Sequence, residues 1–109
     1  MTFDNSLCVE YVTFKLKAGA DTEVFRRCSE ALDASFLQHA AGFLSRRLLL
    51  LEDGETWADL VVWRDRTAAQ AVEAKFMQDP VTQAYGNFID TASLRMEHSR
   101  EISYFKQRA

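Results

Sequence analysis

TWADLVVWRDRTAAQAVEAKFMQDP, residues 56–80, decides the fold, because it reads as an apolar strand running directly into a capped helix. Trp57, Val61 and Trp63 share one face of a period-two ribbon and Ala58, Leu60 and Val62 the other, so Asp59 is the one polar residue on either face. Such a strand needs cover on both sides. The charged corner Arg64-Asp65-Arg66 follows, and Thr67 with Gln70 three residues on fits a capping box, which predicts a helix starting near Thr67. Ala69, Val72 and Phe76 recur at helical spacing as a buried stripe, with Gln70, Glu73 and Gln78 read as facing elsewhere.

Working back from this stretch, FLSRRLLLLE (residues 43–52) is a second apolar strand. Asp53-Gly54 predicts a type I′ hairpin turn, which joins it antiparallel to the strand 56–63. Further back, LCVEYVTFKLK (7–17) alternates Leu7, Val9 and Tyr11 against Cys8, Val12, Phe14 and Leu16, with Glu10 interrupting the second face. Asp21 is a plausible N-cap for a helix whose stripe is Val24, Phe25, Cys28, Leu32 and Phe36. Gly42 fits its left-handed C-cap, and His39 sits where it would meet the last carbonyls. Working forward, Asp79-Pro80 breaks and restarts the helix, Val81, Ala84, Tyr85 and Phe88 repeat at helical spacing, and ASLRMEHS (92–99) is a fourth strand. The segment 100–109 keeps Ile102, Tyr104 and Phe105 and reads as a C-terminal arm. The order βαββαβ with right-handed crossovers gives an α+β, ferredoxin-like fold: a four-stranded antiparallel sheet in spatial order 4-1-3-2 with both helices on one face.

At 109 residues and 48% hydrophobic content the chain is one domain, 1–109, with enough apolar mass for a core. A net charge of -3 without any basic run beyond Arg46-Arg47 speaks against nucleic acid, and that pair reads as a solvated or ion-paired surface feature. The N-terminal residues show no leader and no window is apolar enough for a membrane span, so a cytoplasmic location is the default expectation. Cys8 and Cys28 lack metal or redox spacing and read as buried free thiols.

Two helices cover one face of a sheet and no more, yet each of the first three strands carries large apolar residues on both parities: Val9 and Tyr11 against Val12 and Phe14, Phe43, Leu49 and Leu51 against Leu48 and Leu50, and Trp57 and Trp63 against Leu60 and Val62. Leaving half a dozen such side chains in water would forgo on the order of 10 kcal/mol at about 25 cal/mol per Å². A second copy of the sheet is the simplest cover, which predicts a homodimer through the sheet face.

VEYVTFKLKAGAD, GFLSRRLL, VVWRD, FMQDP and SLRMEH, spread over residues 9–99, resemble the dimeric α+β barrel superfamily, and most closely its antibiotic biosynthesis monooxygenase-like domains. The resemblance implies a homodimer with a pocket between helices and sheet in each protomer. It also implies a range of chemistries: cofactor-independent oxygenation of polycyclic aromatics, haem degradation, isomerisation, decarboxylation and stress-responsive barrels. The haem-degrading branch has an Asn, a Trp and a ligating His where this chain has Val12, Lys75 or Phe76, and Tyr85, so that branch is not indicated and no cofactor is expected.

His98 and Glu10 are the one constellation suited to chemistry, since the fourth strand lies beside the first and a carboxylate next to an imidazole sets up a general base. The same pair also reads as a satisfied polar contact at the sheet edge or dimer seam. Val12, Phe14, Trp63, Phe76, Tyr85 and Phe88 are the candidate pocket lining, with Tyr85 a possible hydrogen-bond donor; aromatics at helical spacing are equally plain core. No phosphate loop, nucleophile elbow or metal spacing is present. Two functions follow: a barrel that binds an aromatic or lipophilic small molecule and oxidises it without a prosthetic group, or a non-catalytic barrel for ligand binding or protein association. The first needs an enclosed cavity with a polar group pointing in; the second has its second helix collapsed onto the sheet.

Overall fold

The computed structural model describes residues 6–108, so residues 1–5, where the reading for a leader begins, and residue 109 lie outside the described residues. The elements are β1 (Cys8–Leu16), α1 (Thr22–Ser35), β2 (Phe43–Leu50), β3 (Thr56–Trp63), α2 (Arg66–Phe76), α3 (Pro80–Gly86) and β4 (Ile89–Arg100). They build one antiparallel sheet in the order β2-β3-β1-β4, the spatial order expected for the ferredoxin-like α+β fold. No helix among the described residues is long and apolar enough to cross a membrane.

Register fixes the faces. Glu10 pairs with Val61 and His98, Val12 with Asp59 and Met96, and Phe14 with Trp57, so these residues share the helix-covered face with Arg46 and Leu48 of β2. Phe14, Phe25, Leu32, Trp63 and Tyr85 form the centre of the core there. The opposite face carries Val9, Tyr11, Leu49, Leu60 and Val62, and no element among the described residues covers it; Tyr11 and Leu49 are each 40% exposed.

Local chemistry moved several boundaries. Helix α2 is capped by Asp65 and not by Thr67: the Asp65 backbone is extended and its carboxylate accepts the Ala68 N–H at 2.8 Å. An ionised acceptor at the positive end of the helix outcompetes a hydroxyl two residues later. Gly42 is not the C-cap of α1. The helix ends at Ser35, a 3-10 turn spans Leu37–His39, and Gly42 takes its positive φ just before β2, where its carbonyl accepts the Arg64 N–H at 2.7 Å. His39 accordingly closes that turn and not the helix.

The β2–β3 hairpin forms without a type I′ turn, which needs two positive-φ residues; Gly54 is the only one in the loop. The Gly54 N–H donates to Leu51, and Asp53 accepts from Glu55 N, Thr56 N and Thr56 Oγ1. A register shift between Phe43 and Ser45 turns Phe43 inward against Trp63 and leaves Leu44 51% exposed, reversing the face expected for Phe43. Asp79 caps α3 with Pro80 in its first turn, as the sequence predicts. Residues 101–108 have no regular structure; Glu101 N–H adds one bond to Leu7, and Ile102, Tyr104 and Phe105 are exposed.

Candidate functional site

A cavity of about 600 Å³ lies between the helix-covered face of the sheet and α2–α3. Its walls are chiefly apolar, from Val12, Phe14, Val61, Val72, Phe76 and Ile89, and the exposed Leu94 and Met96 of β4 and Met77 at the end of α2 border it. Two sequence features bear on its shape. Ala69, buried on α2, contributes only a methyl group to its wall, and the Asp79-Pro80 break ends α2 and restarts the chain as α3.

One end of the cavity is acidic. Glu10 and Glu73 line it, from β1 and α2 respectively, and His98 of β4 stands behind them. His98 Nε2 lies 2.9 Å from Glu10 Oε2 and 2.7 Å from Glu73 Oε1. Removal from water raises the Glu10 carboxyl above the usual range, while His98 opposes the shift. Arg66 Nη1 donates to the same Glu73 Oε1 at 3.3 Å. The Trp63 indole N–H helps to hold the Glu10 carboxyl down, yet this buried Nε1–H makes no full hydrogen bond among the described residues. His98 itself opens onto a second, smaller recess with Cys8, Arg66 and Arg100. Burial pushes the Cys8 thiol up, which leaves it protonated and unreactive.

The other polar group is a buried network around Arg46. Its Nε donates to Asp59 Oδ1 at 2.8 Å, its second terminal nitrogen donates to Tyr85 Oη at 3.0 Å, and Nη1 donates to Ser29 Oγ and Asp33 Oδ1, both at 2.8 Å. Tyr85 Oη donates in turn to Asp59 Oδ2 at 2.8 Å. The Arg46 side chain is 3% exposed, so the pair read as a surface feature splits: Arg47 faces outward and Arg46 is interior. Burial raises the Asp59 carboxyl against the pull of Arg46, and burial beside Asp59 raises the Tyr85 phenol, keeping Tyr85 a donor.

The structure thus brings Glu10 and His98 together and places Val12, Phe14, Trp63, Phe76 and Tyr85 on the cavity wall. His98 does not itself line the large cavity; it reaches it through Glu10. Phe88 lies outside the lining and packs on Phe25, with ring centroids 5.8 Å apart. Glu73, Asp59 and Arg46 are the polar residues that sequence reasoning passed over. The signals were present. Glu73 stands four residues after Ala69, inside the α2 stripe, and Asp59 shares the parity of Trp57, Val61 and Trp63.

No family model matches the chain, and no curated protein matches it. Solved structures do. A single-substitution variant of SnoaB, a cofactor-independent oxygenase from Streptomyces nogalater, superposes with a TM-score of 0.63 at 20% identity over 93% of this chain and 96% of that one. A dimeric ferredoxin-like protein from an uncultured marine organism gives 0.71 at 10% identity over 98% and 97%. A Bacillus cereus protein assigned provisionally as an antibiotic biosynthesis monooxygenase gives 0.61 at 16% over 94% and 99%. At these identities the likeness carries the fold alone: the chain has a ferredoxin-like α+β fold, shared with these proteins.

Proposed function

We propose that the protein is a cytoplasmic, homodimeric barrel that binds a flat aromatic or lipophilic molecule in the cavity beneath α2–α3 and removes a proton from it. The observation that carries this reading is a cavity of about 600 Å³ with mainly apolar walls and the Glu10 carboxylate on its surface, backed by His98 at 2.9 Å. That volume suits a drug-sized organic molecule, with a few polar groups to orient it. A collapsed α2, the mark of a purely structural barrel, is not what the packing looks like. The free thiols Cys8 and Cys28 fit a reducing compartment.

In the oxygenase form of this reading, Glu10 takes a proton from the bound molecule, and the resulting carbanion supplies the electrons that reduce O2. The likeness to SnoaB, a cofactor-independent oxygenase, supports that direction. Dry walls of Val12, Phe14, Val72 and Phe76 keep water from protonating the carbanion again. Tyr85, held by Asp59 and Arg46, anchors the floor and keeps its shape.

A hydroxylated anthraquinone titrated against the purified protein tests binding through quenching of indole fluorescence. Saturation at one molecule per chain is expected, weakened at least about tenfold when Val72→Phe fills the cavity. Unsaturable quenching, or a Val72→Phe variant that binds as well as the parent, contradicts the assignment of the cavity. An oxidised product from a polycyclic phenol under air, lost in Glu10→Gln with binding intact, tests the chemistry separately.

A further inference from the structure

His98 Nε2 faces two carboxylate oxygens at once, Glu10 Oε2 at 2.9 Å and Glu73 Oε1 at 2.7 Å. An imidazole nitrogen carries at most one hydrogen, directed along one line in the ring plane. Glu10 Oε2 and Glu73 Oε1 therefore compete for one His98 hydrogen; Glu73 Oε1 also accepts from Arg66 at 3.3 Å, whereas the more deeply buried Glu10 Oε2 faces His98 on the wall of a mainly apolar cavity. The three ligand atoms come from β1, α2 and β4 and lie within 4.8 Å of one another. A second feature points the same way. The Trp63 Nε1–H, buried on the same cavity, interacts with the neighbouring Glu10 carboxyl but makes no full hydrogen bond among the described residues, and an acceptor placed there would satisfy it.

We infer that Glu10, Glu73 and His98 bind a divalent first-row transition cation, with its remaining coordination positions turned to the cavity. Water or an acceptor atom of the organic ligand fills those positions, and the Trp63 N–H donates to it. One imidazole nitrogen with two carboxylate oxygens suits zinc, manganese, cobalt or ferrous iron better than magnesium or calcium, which take oxygen ligands alone. Ligand atoms about 2.1 Å from a shared metal stand about 3.0–3.4 Å apart, so the observed N···O contacts open by only a few tenths of an ångström. Two carboxylates balance the dipositive charge while the imidazole stays neutral. Arg66, 3.3 Å from the same Glu73 Oε1, swings outward or passes to the other carboxylate oxygen when the cation binds. The cation takes the place of the shared proton, so metal binding and the base role of Glu10 exclude one another: the loaded site presents a Lewis acid to the cavity.

The test is a Co2+ titration of the metal-free protein followed by visible absorption, without organic ligand. Saturable bands at one Co2+ per chain are expected, displaced by equimolar Zn2+ and not by excess Mg2+. His98→Ala and Glu73→Gln each weaken binding by about tenfold or more, whereas His39→Ala, at the other histidine, leaves it unchanged. Zn2+ also raises the melting temperature of the parent but not of the two variants, by mass action on the folded state. Because Glu73 is exposed on one side, Glu73→Gln folds and decides the matter should His98→Ala not fold. Absence of saturable bands, or bands of equal affinity in Glu73→Gln, overturns the inference. Anthraquinone binding is measured without the cation, so either result can fail alone.

Discussion

Arg46 joins two helices and two strands through one guanidinium, touching Ser29 and Asp33 of α1, Asp59 of β3 and Tyr85 of α3. Arg46→Met leaves the Asp59 carboxylate buried without its counter-charge, and urea unfolding is expected to show a loss of about 3–5 kcal/mol. Adding Asp59→Leu removes the orphaned charge and recovers most of that loss, whereas a double variant as unstable as the single one contradicts this account. Sequence inspection took Arg46-Arg47 as one surface pair because both are charged. Strand parity separates them, since Arg46 pairs with Val61 on the covered face and Arg47 with Leu60 on the open one. Glu10 and His98 were legible for the converse reason: antiparallel pairing of the first and last strands sets them directly opposite. Glu73 was not, because its contact depends on where α2 lies over the sheet, which no local pattern states.

Turns and caps set the elements, and their chemistry is testable one position at a time. Gly42 has φ +83°, and a Cβ added there would stand 2.5 Å from the Ala68 Cβ. Gly54 has φ +75° with open space around it. Gly54→Ala should cost about 1 kcal/mol for the left-handed backbone alone, and Gly42→Ala clearly more, because α2 must also shift. Equal losses would mean that the β2 entrance and α2 are not packed as described. At the hairpin, hydrogen bonds from Thr56 and Glu55 hold the Asp53 carboxyl down to about 2 from an ordinary 3.8. A carboxyl depressed in the folded state stabilises above its unfolded value and loses that contribution as pH falls through the folded one. Asp53→Asn is therefore expected to be less stable than the parent at pH 7, with the urea midpoints converging from about pH 4 down to about pH 2. A constant gap across that range contradicts the assignment. Element order was readable from periodicity, the Asp21 and Asp79 caps and the hairpin signal. The Asp65 cap was not, because competing acceptors two residues apart, Asp65 and Thr67, look alike until the backbone chooses one.

For the whole molecule, the decisive feature is a sheet with one covered face and one bare face. Val9, Tyr11, Leu49, Leu60 and Val62 make the bare face apolar at its centre, while Lys15, Arg47, Arg95 and Glu97 lie towards its margins. An apolar centre inside a charged rim is the anatomy of a protein interface, and a two-fold pairing places the same patch on both partners. The alternation of apolar residues at both parities made this readable before any coordinates. The bulge at Leu44 was invisible to that alternation, because one extra residue reverses parity without changing composition. The measurement that bears most directly on this account is sedimentation equilibrium of the parent and of Leu49→Glu/Leu60→Glu at micromolar concentration. The parent is expected at twice the 12.5 kDa chain mass and the double variant, still folded by circular dichroism, at the chain mass. A parent that sediments at the single-chain mass, with that apolar face in water, contradicts it.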